Sequence, residues 1–367
     1  MPTFYGKRLL IACGGTGGHL FPGIAVAEEW TRQGGEVLLL ISEKQIDALA
    51  AEGYDHLRFE KMPAAAAPRL LSAQMPKFLV SLMGGWFRSR RLLKTFKADA
   101  VLGMGGFTST APLLAGWSAG IPTFIHESNS IPGRANRLNA RFSKVVLVGW
   151  MCCARMFARH KVELVGTPIR PSLEKKPTRA EAIRHFGLRA DQRTVLLMGG
   201  SQGARRLNEM MAHGLPGFNG SWTQVLHISG PEDAPALRPF YDKYPTAGIC
   251  LDFCSDMQYA YAAADLVVCR SGASTMTELT HYGTPAIFVP YPFAADDHQT
   301  TNAEVFAEAG AAVMWRQEDL NAGVFVPSIL QLLDDEAKLR AMRQAMTELA
   351  VPGSAARVCQ VIAENLP

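Results

Sequence analysis

The sequence contains no run of about eighteen apolar residues, so no helical membrane span is expected. The opening "LLIAC" is too short for the apolar part of a secretory signal and runs straight into glycines. Cysteine is sparse and odd in number, at positions Cys13, Cys152, Cys153, Cys250, Cys254, Cys269 and Cys359, and no CxxC pair has a second half. Several of these lie in apolar segments, where a thiol behaves as a small hydrophobe, which argues for a reducing, cytosolic setting. Charge is also scarce. Charged residues make up 19% and the net charge is +4, too weak a bias to point to nucleic acid. An anionic substrate or an anionic membrane surface suits it equally well. What the chain does have is apolar residues, 48% of its 367 positions, enough for two well-cored domains.

Short apolar runs alternate with helical patterns along the whole length. "RLLIAC", "EVLLLIS", "ADAVLGM", "PTFIHE", "KVVLVG", "VELVG", "TVLLMGG", "TQVLHISG", "GICLDFC", "ADLVVC" and "AIFVPY" read as strands. Near-continuous hydrophobicity marks parallel strands covered on both faces, hence an α/β fold with right-handed crossovers. The pattern occurs twice, opening on "RLLIACGGTGGH" and again on "TVLLMGGSQGAR". Two Rossmann-like, doubly wound domains with parallel sheets facing a cleft are therefore expected, spanning 1–165 and 166–349. The proline-bearing segment Gly166–Ala182 suits a linker, and a C-terminal helix at about 350–367 is free to pack back on the first domain. Ligands of such sheets bind beyond the C-terminal ends of the strands.

That is where the polar and glycine-rich stretches fall. "CGGTGGHLFPG" (Cys13–Gly23) puts bare backbone and then His19 at the exit of the first strand. It fails the dinucleotide fingerprint, because the pattern from Gly15 needs glycine where Leu20 stands, so an NAD-dependent oxidoreductase is disfavoured. His19 reads as a catalytic imidazole or as a structural cap of the turn. "GMGGFTS" brings Gly105 and Gly106, and "FIHESNSIPGRANR" sends His126, Glu127, Ser128 and Asn129 out of a strand together, either as a site wall or as a turn with a helix cap. In the second half "GGSQGARRLN" forms an anion site around Ser201 without the lysine of a nucleotide-hydrolysing loop. In "CRSGASTMTEL", Thr275-x-x-Glu278 fits a capping box, or else Glu278 is a carboxylate for ribose hydroxyls. Asp296, Asp297 and His298 resemble metal ligands, but successive loop side chains diverge and no spaced partner is evident, so contacts from Gln299 and Asn302 to sugar hydroxyls fit better. One stretch differs in kind. In "FLVSLMGGWFRSRRLLKTFK", Leu79, Leu82, Met83, Trp86 and Phe87 are interleaved with Arg88, Arg90, Arg91 and Lys94. It reads as a monotopic membrane contact or as a core-facing amphipathic helix.

Taken in order, "GGTGGHLFPG", "GMGGFTS", "HESNSIPGRAN", "VGTPIR", "GGSQGAR", "CRSGASTMTEL" and "DDHQTTNA" cover nearly the whole chain. Together they resemble the GT-B, family-28 glycosyltransferases that add N-acetylglucosamine to lipid I in bacterial peptidoglycan synthesis. The resemblance implies an inverting hexosyltransferase using UDP-N-acetylglucosamine and polyprenyl-linked lipid I, with no cofactor, no metal and no nucleic acid. It implies a peripheral position on the anionic, cytoplasmic face of the inner membrane. It further implies an acceptor and membrane-side first domain and a donor-binding second domain. Donor contacts would come from Thr16, Gly17, Gly18, Arg170, Ser201, Cys254, Ala273, Ser274, Thr275, Glu278 and Gln299, with Asn129 reaching across from the first domain. Gly15, Gly105, Gly106 and His126 would lie on the acceptor side. His19 is the first choice as base and Glu127 the second, as base or orienter. Other readings of the same residues are a UDP-N-acetylglucosamine epimerase of this fold and a non-catalytic, membrane-associated nucleotide-sugar binding protein. Three positions depart from the family pattern: Ser128 replaces an amide, "MPAAAAPR" replaces a glycine- and lysine-bearing loop, and His298 stands where some members have glutamine.

Overall fold

A computed structural model of the protein describes residues 4–14, 17–43, 53–62, 72–200 and 203–367. The chain divides into two compact units, Met1–Arg170 joined by Val351–Pro367, and Pro171–Ala350.

In the first unit, β1 (Arg8–Ala12) leads into α1 (Gly17–Arg32), followed by β2 (Glu36–Ser42), β3 (Phe59–Met62) and α2 (Met75–Phe96). Then come β4 (Ala100–Gly103), α3 (Thr110–Ser118), β5 (Thr123–Glu127), α4 (Arg134–Asn139), β6 (Val145–Val148), α5 (Met151–Ala154) and β7 (Val162–Leu164). The described strands pair in parallel in the order β3-β2-β1-β4-β5-β6-β7, with Leu10 in register with Leu38 on one side and Val101 on the other. The direction of winding reverses between β1 and β4. The loops leaving those two strands therefore part to opposite faces and open a crevice. One face of the sheet packs Leu9, Ile11 and Leu39 against Ile24 and Trp30 of α1. The other packs Leu10, Val101 and Ile125 against Leu93, Phe96, Leu113 and Phe157 from the layer of helices that begins with α2.

The second unit starts with α6 (Pro171–Glu174) and α7 (Arg179–Phe186), so the expected linker carries two helices of this unit. Helix α7 is set by a complete capping box: Glu181 N donates to Thr178 Oγ1 (3.2 Å), and Thr178 N donates to Glu181 Oε2 (2.7 Å). Next follow β8 (Arg193–Met198), α8 (Arg205–Gly214), β9 (Thr223–Ile228), α9 (Ala234–Lys243), β10 (Gly248–Leu251), α10 (Met257–Ala263) and β11 (Leu266–Cys269). The unit closes with α11 (Ala273–Tyr282), β12 (Ala286–Phe288), α12 (His298–Glu308), β13 (Ala312–Met314), α13 (Ala322–Asp334) and α14 (Glu336–Glu348). The order β10-β9-β8-β11-β12-β13, again all parallel, repeats the reversal, now between β8 and β11. The last helix, α15 (Ser354–Glu364), belongs to the first unit, where Val358, Cys359, Val361 and Ile362 complete the core beside α1. No helix among the described residues is long and apolar enough to cross a membrane.

Candidate active site

In the first unit the two loops at the switch point are laced together. Thr108 Oγ1 donates to Gly14 O (2.6 Å), and Ser109 Oγ lies 2.7 Å from Gly105 O and 3.0 Å from Ala12 O, its hydroxyl shared between two carbonyls. Gly17 and Gly18 open α1, and His19 follows in its first turn, partly exposed. The imidazole lies on the bare backbone of the second glycine turn. A Cβ on Gly105 would sit 2.8 Å from His19 Cε1, and Gly105 and Gly106 hold φ of +115° and +72°, which glycine alone adopts without strain. Gly15 and Thr16 lie outside the described residues.

The strand end at His126–Asn129 differs from the expected wall. His126 is fully buried. Its Nε2 donates to Gly166 O (2.8 Å), because a carbonyl can only accept, and Nδ1 is then left to face Ser128 Oγ (3.3 Å). Burial pushes its pKa down, and nearby His19 pushes it the same way. The His126 ring is thus enclosed by the fold, held between Gly166 O and Ser128 Oγ. Glu127 is also buried, and its carboxylate accepts four hydrogen bonds. Two come to Oε1, from Asn129 N (3.0 Å) and Asn129 Nδ2 (2.9 Å); two come to Oε2, from Gly133 N and Asn136 Nδ2 (both 3.0 Å). A carboxylate offers about four lone-pair sites, so this one is committed to its own loop. That geometry fits an orienter of Asn129 and does not fit a base. Asn136, which also donates to His126 O (2.9 Å), is the member of this cluster that the sequence did not single out.

Arg170 is the last residue of the first unit, with its guanidinium 4.6 Å from the Phe21 ring centroid.

In the second unit the turn after β8 is closed by Gly203 N donating to Gly200 O (3.0 Å). Gly203 has φ +76°, and a Cβ there would meet Ser229 O at 2.1 Å, so main chain rests on main chain. Ser229 is held from beneath. Asn208 Nδ2 donates to Ser229 O (2.8 Å) and Asp233 Oδ2 (2.7 Å), and Asn208 Oδ1 accepts from His227 Nε2 (2.9 Å). His227 Nδ1 then accepts from Tyr241 OH (2.9 Å). Burial drives the His227 pKa down to about 3. Ser201 and its neighbour Gln202 lie outside the described residues.

Across the switch point, α11 starts one residue after Gly272, so Ala273, Ser274 and Thr275 form its first turn with their N–H groups directed off the helix end. Thr275 and Glu278 are both inside the helix, so the capping-box reading of that motif does not hold, because the helix begins two residues before Thr275. Buried Glu278 instead accepts from Tyr261 OH at 2.6 Å. Ser271 Oγ donates to Gln299 O (2.7 Å), which ties the head of α12 to that of α11. The Gln299 side chain is oriented as well. Its Oε1 accepts from Tyr291 N (2.9 Å), so the NH2 group points the other way. Arg270 braces the same loop, donating to Val289 O, Pro290 O and Gln317 Oε1, and burial lowers its pKa. Cys254 is half-buried in the loop after β10. Asp296 and Asp297 are both left-handed, at φ +53° and +50°, and His298 Nδ1 is 2.7 Å from Ala295 O. Among the described residues no three His, Cys, Asp or Glu side chains gather as a metal site.

Helix α2 buries only Gly85, Ser89, Leu93 and Phe96. Leu79 (53%), Val80 (68%), Met83 (61%) and Phe87 (64%) face solvent, and helical spacing puts Arg90, Arg91 and Lys94 on the same face one to two turns on. Trp86 and Leu82, expected to project outward, turn inward: Trp86 packs against the core beneath α2, and Leu82 lines a small recess with Phe78 and Phe107. Arg90 covers the Trp86 ring at 5.2 Å, and Arg88 and Arg91 border an open groove beside Phe87.

Likeness to known proteins agrees with this fold. The N-terminal domain of glycosyltransferase family 28 matches residues 9–148 and its C-terminal domain residues 194–358. The chain is 39% identical over 349 residues, 94% of each chain, to the UDP-N-acetylglucosamine--N-acetylmuramyl-(pentapeptide) pyrophosphoryl-undecaprenol N-acetylglucosamine transferase of Geobacter sulfurreducens. It superimposes on the crystal structure of Acinetobacter baumannii MurG with a TM-score of 0.76 at 28% identity, covering 98% of this chain and 99% of that one. It also resembles a UDP-GlcNAc 2-epimerase from Neisseria meningitidis bound to UDP-GlcNAc (TM-score 0.71, 98% and 100% covered), but at 14% identity that likeness is one of fold alone. Two Rossmann-like units with parallel sheets and matches to both halves of one family lead to a single assignment: the chain belongs to glycosyltransferase family 28.

Proposed function

We infer that this chain is an inverting glycosyltransferase that moves N-acetylglucosamine from UDP-N-acetylglucosamine to the C4 hydroxyl of the muramoyl sugar of lipid I, giving lipid II for peptidoglycan. The observation that carries the reading is 39% identity, over 94% of both chains, with a relative named for that transfer. The geometry supplies parts that suit the chemistry. Inversion needs one displacement: the C4 oxygen bonds to the anomeric carbon as the bond to the diphosphate breaks, and UDP leaves with the electron pair. The hydroxyl proton passes late to a base, since an alcohol is too weak an acid to ionise first. His19 is that base, offered at the head of α1 and seated on Gly105. Glu127 serves by fixing Asn129. The first turn of α11, with its N–H groups, faces the charge that develops on the leaving diphosphate, and Arg170 is the candidate fixed cation. Glu278 takes the ribose hydroxyls, and Gln299 offers NH2 to the sugar.

Incubation with labelled UDP-N-acetylglucosamine, with and without a lipid I analogue, tests the reading. UDP and a disaccharide product should form only when acceptor is present. Acceptor-independent conversion of the UDP-sugar would point to an epimerase, and binding without turnover to a binding protein.

The acceptor's polyprenyl tail calls for a membrane-apposed first unit on the cytoplasmic face. The outer face of α2 supports this, as does the charge around it: between Lys61 and Val162 the only acidic residues are Asp99 and Glu127. Each arginine or lysine near an anionic surface contributes about 1 kcal/mol. A Met83→Glu, Phe87→Glu, Arg91→Glu variant should lose co-sedimentation with phosphatidylglycerol vesicles while turning over a short-chain, water-soluble acceptor nearly as well as the parent. Retained vesicle binding would remove α2 from the contact.

A further inference from the structure

We propose that Tyr261 is a positioning residue for donor recognition, acting through Glu278. The inference rests on the reading of Glu278 as the acid that meets the ribose, and adds what holds that acid in place.

Glu278 sits in the middle of α11, buried, on a side chain with three rotatable bonds. Left to itself such a carboxylate spreads over several rotamers, and taking it out of water is costly unless hydrogen bonds compensate. Tyr261 provides one. It lies on the neighbouring helix α10, is 2% exposed, and its phenol donates to Glu278 Oε2 at 2.6 Å, the short range of a bond to a charged acceptor. A bond from a rigid ring to one oxygen fixes the tilt of the carboxylate as well as its position.

The phenol is itself held. The Tyr261 ring lies against that of Tyr282 at the far end of α11, with centroids 5.3 Å apart. Tyr282 OH donates to the carbonyl of Leu173 (3.2 Å), which is buried in α6, while Lys176 Nζ lies 5.5 Å from the Tyr282 ring centroid and donates to His281 O. Tyr261 is thus clamped between the acid and an aromatic neighbour that is pinned at its own hydroxyl. Rigid support behind a binding carboxylate sharpens discrimination, because a ligand lacking one hydroxyl cannot be met by a shifted acid.

The test uses the full chain, a lipid I analogue and UDP-N-acetylglucosamine. Tyr261→Phe removes one oxygen and keeps the ring. It should raise the donor KM about tenfold, the loss expected for a hydrogen bond to a charged group, with kcat within about twofold. It should also shrink the preference for UDP over 2′-deoxy-UDP when the two are compared as competitive inhibitors. In a Glu278→Ala background the same change should add nothing, because the group it positions is gone. A tenfold effect that persists without Glu278, or an unchanged preference for UDP, overturns the proposal. Where Tyr261→Phe lowers the melting temperature, the nucleotide comparison still decides: a general loss of folded protein weakens both nucleotides alike. If Glu278→Ala alone leaves the donor KM unchanged, the ribose reading of Glu278 fails first, and the two failures are told apart.

Discussion

The same device, strand then glycine turn then helix, stands at the switch point of both units, yet its glycines do different work. In the first unit Gly105 leaves room for a side chain, and the room is taken by the imidazole of His19. In the second, Gly203 leaves room for main chain, and Ser229 O fills it, backed by the Asn208–His227–Tyr241 network. One turn is packed under an imidazole. The other is backbone supported from below, the arrangement we propose for binding the diphosphate. Glycine-rich sequence alone does not separate the two, because the identity of the filling atoms is set by residues far away in the chain.

The largest break in this comparison should come from His19→Ala. Loss of a general base lowers kcat by roughly 10²- to 10⁴-fold, and the donor KM should move little; steady-state kinetics at saturating acceptor decide it, and an unchanged kcat would disqualify His19. Next come the glycines themselves. Gly105→Ala should displace the imidazole and lower kcat with the donor KM preserved. Gly203→Ala, at positive φ and against a carbonyl, should cost about 1–3 kcal/mol of stability in denaturant titration and raise the donor KM. Identical kinetic signatures from the two variants would mean that the turns do not divide the labour as described.

A smaller and sharper effect is expected at Gln299. Gln299→Glu keeps an oxygen for Tyr291 N and removes the amide donor, so kcat/KM for the donor should fall by about 1–3 kcal/mol while the melting temperature holds. Gln299→Met loses both groups, and its melting temperature should fall as well. A Gln299→Glu enzyme with full activity would show that the amide only ties the loop.

The smallest effect per step is in pH. Burial holds the pKa of folded His227 down to about 3, below the ordinary histidine value of about 6.5, and His126 is shifted in the same direction. The unfolded chain takes up protons that the folded chain refuses, so stability is intact above about pH 6.5 and falls as pH drops below it. For His227 the slope reaches at most about 1.4 kcal/mol per pH unit down to about pH 3. His227→Gln should flatten that slope in the second unit's unfolding; an unaltered slope would assign the acid sensitivity elsewhere.

The architecture was legible because parallel strands buried on both faces are unbroken apolar words. The two strands that escaped notice, β3 ("FEKM") and β13 ("AVM"), are edge strands, one half polar and the other three residues long. Local patterns misled where tertiary contacts set the outcome. Thr178-x-x-Glu181 and Thr275-x-x-Glu278 share one motif, but only the first begins a helix. The polarity of His126 suggested a site, whereas its partner is the carbonyl of Gly166, forty residues along the chain. Trp86 and Phe87 are neighbours in a basic stretch, and only the packing of α2 decides that Trp86 turns inward and Phe87 outward. Tyr261 carried no local signal at all, since its meaning lies in a residue on the next helix.

Helix α15 crosses back to the first unit after the whole of the second has been laid down, and its Val358, Cys359 and Ile362 seal the core beside Ile24 and Trp30. During synthesis the unit begun first is therefore the unit finished last. Residues 171–350 have emerged from the ribosome and can fold as a body of their own while the earlier unit still waits with an apolar seam uncovered. That interval, when an open hydrophobic strip is held close to other nascent chains, is when a chaperone has most to protect.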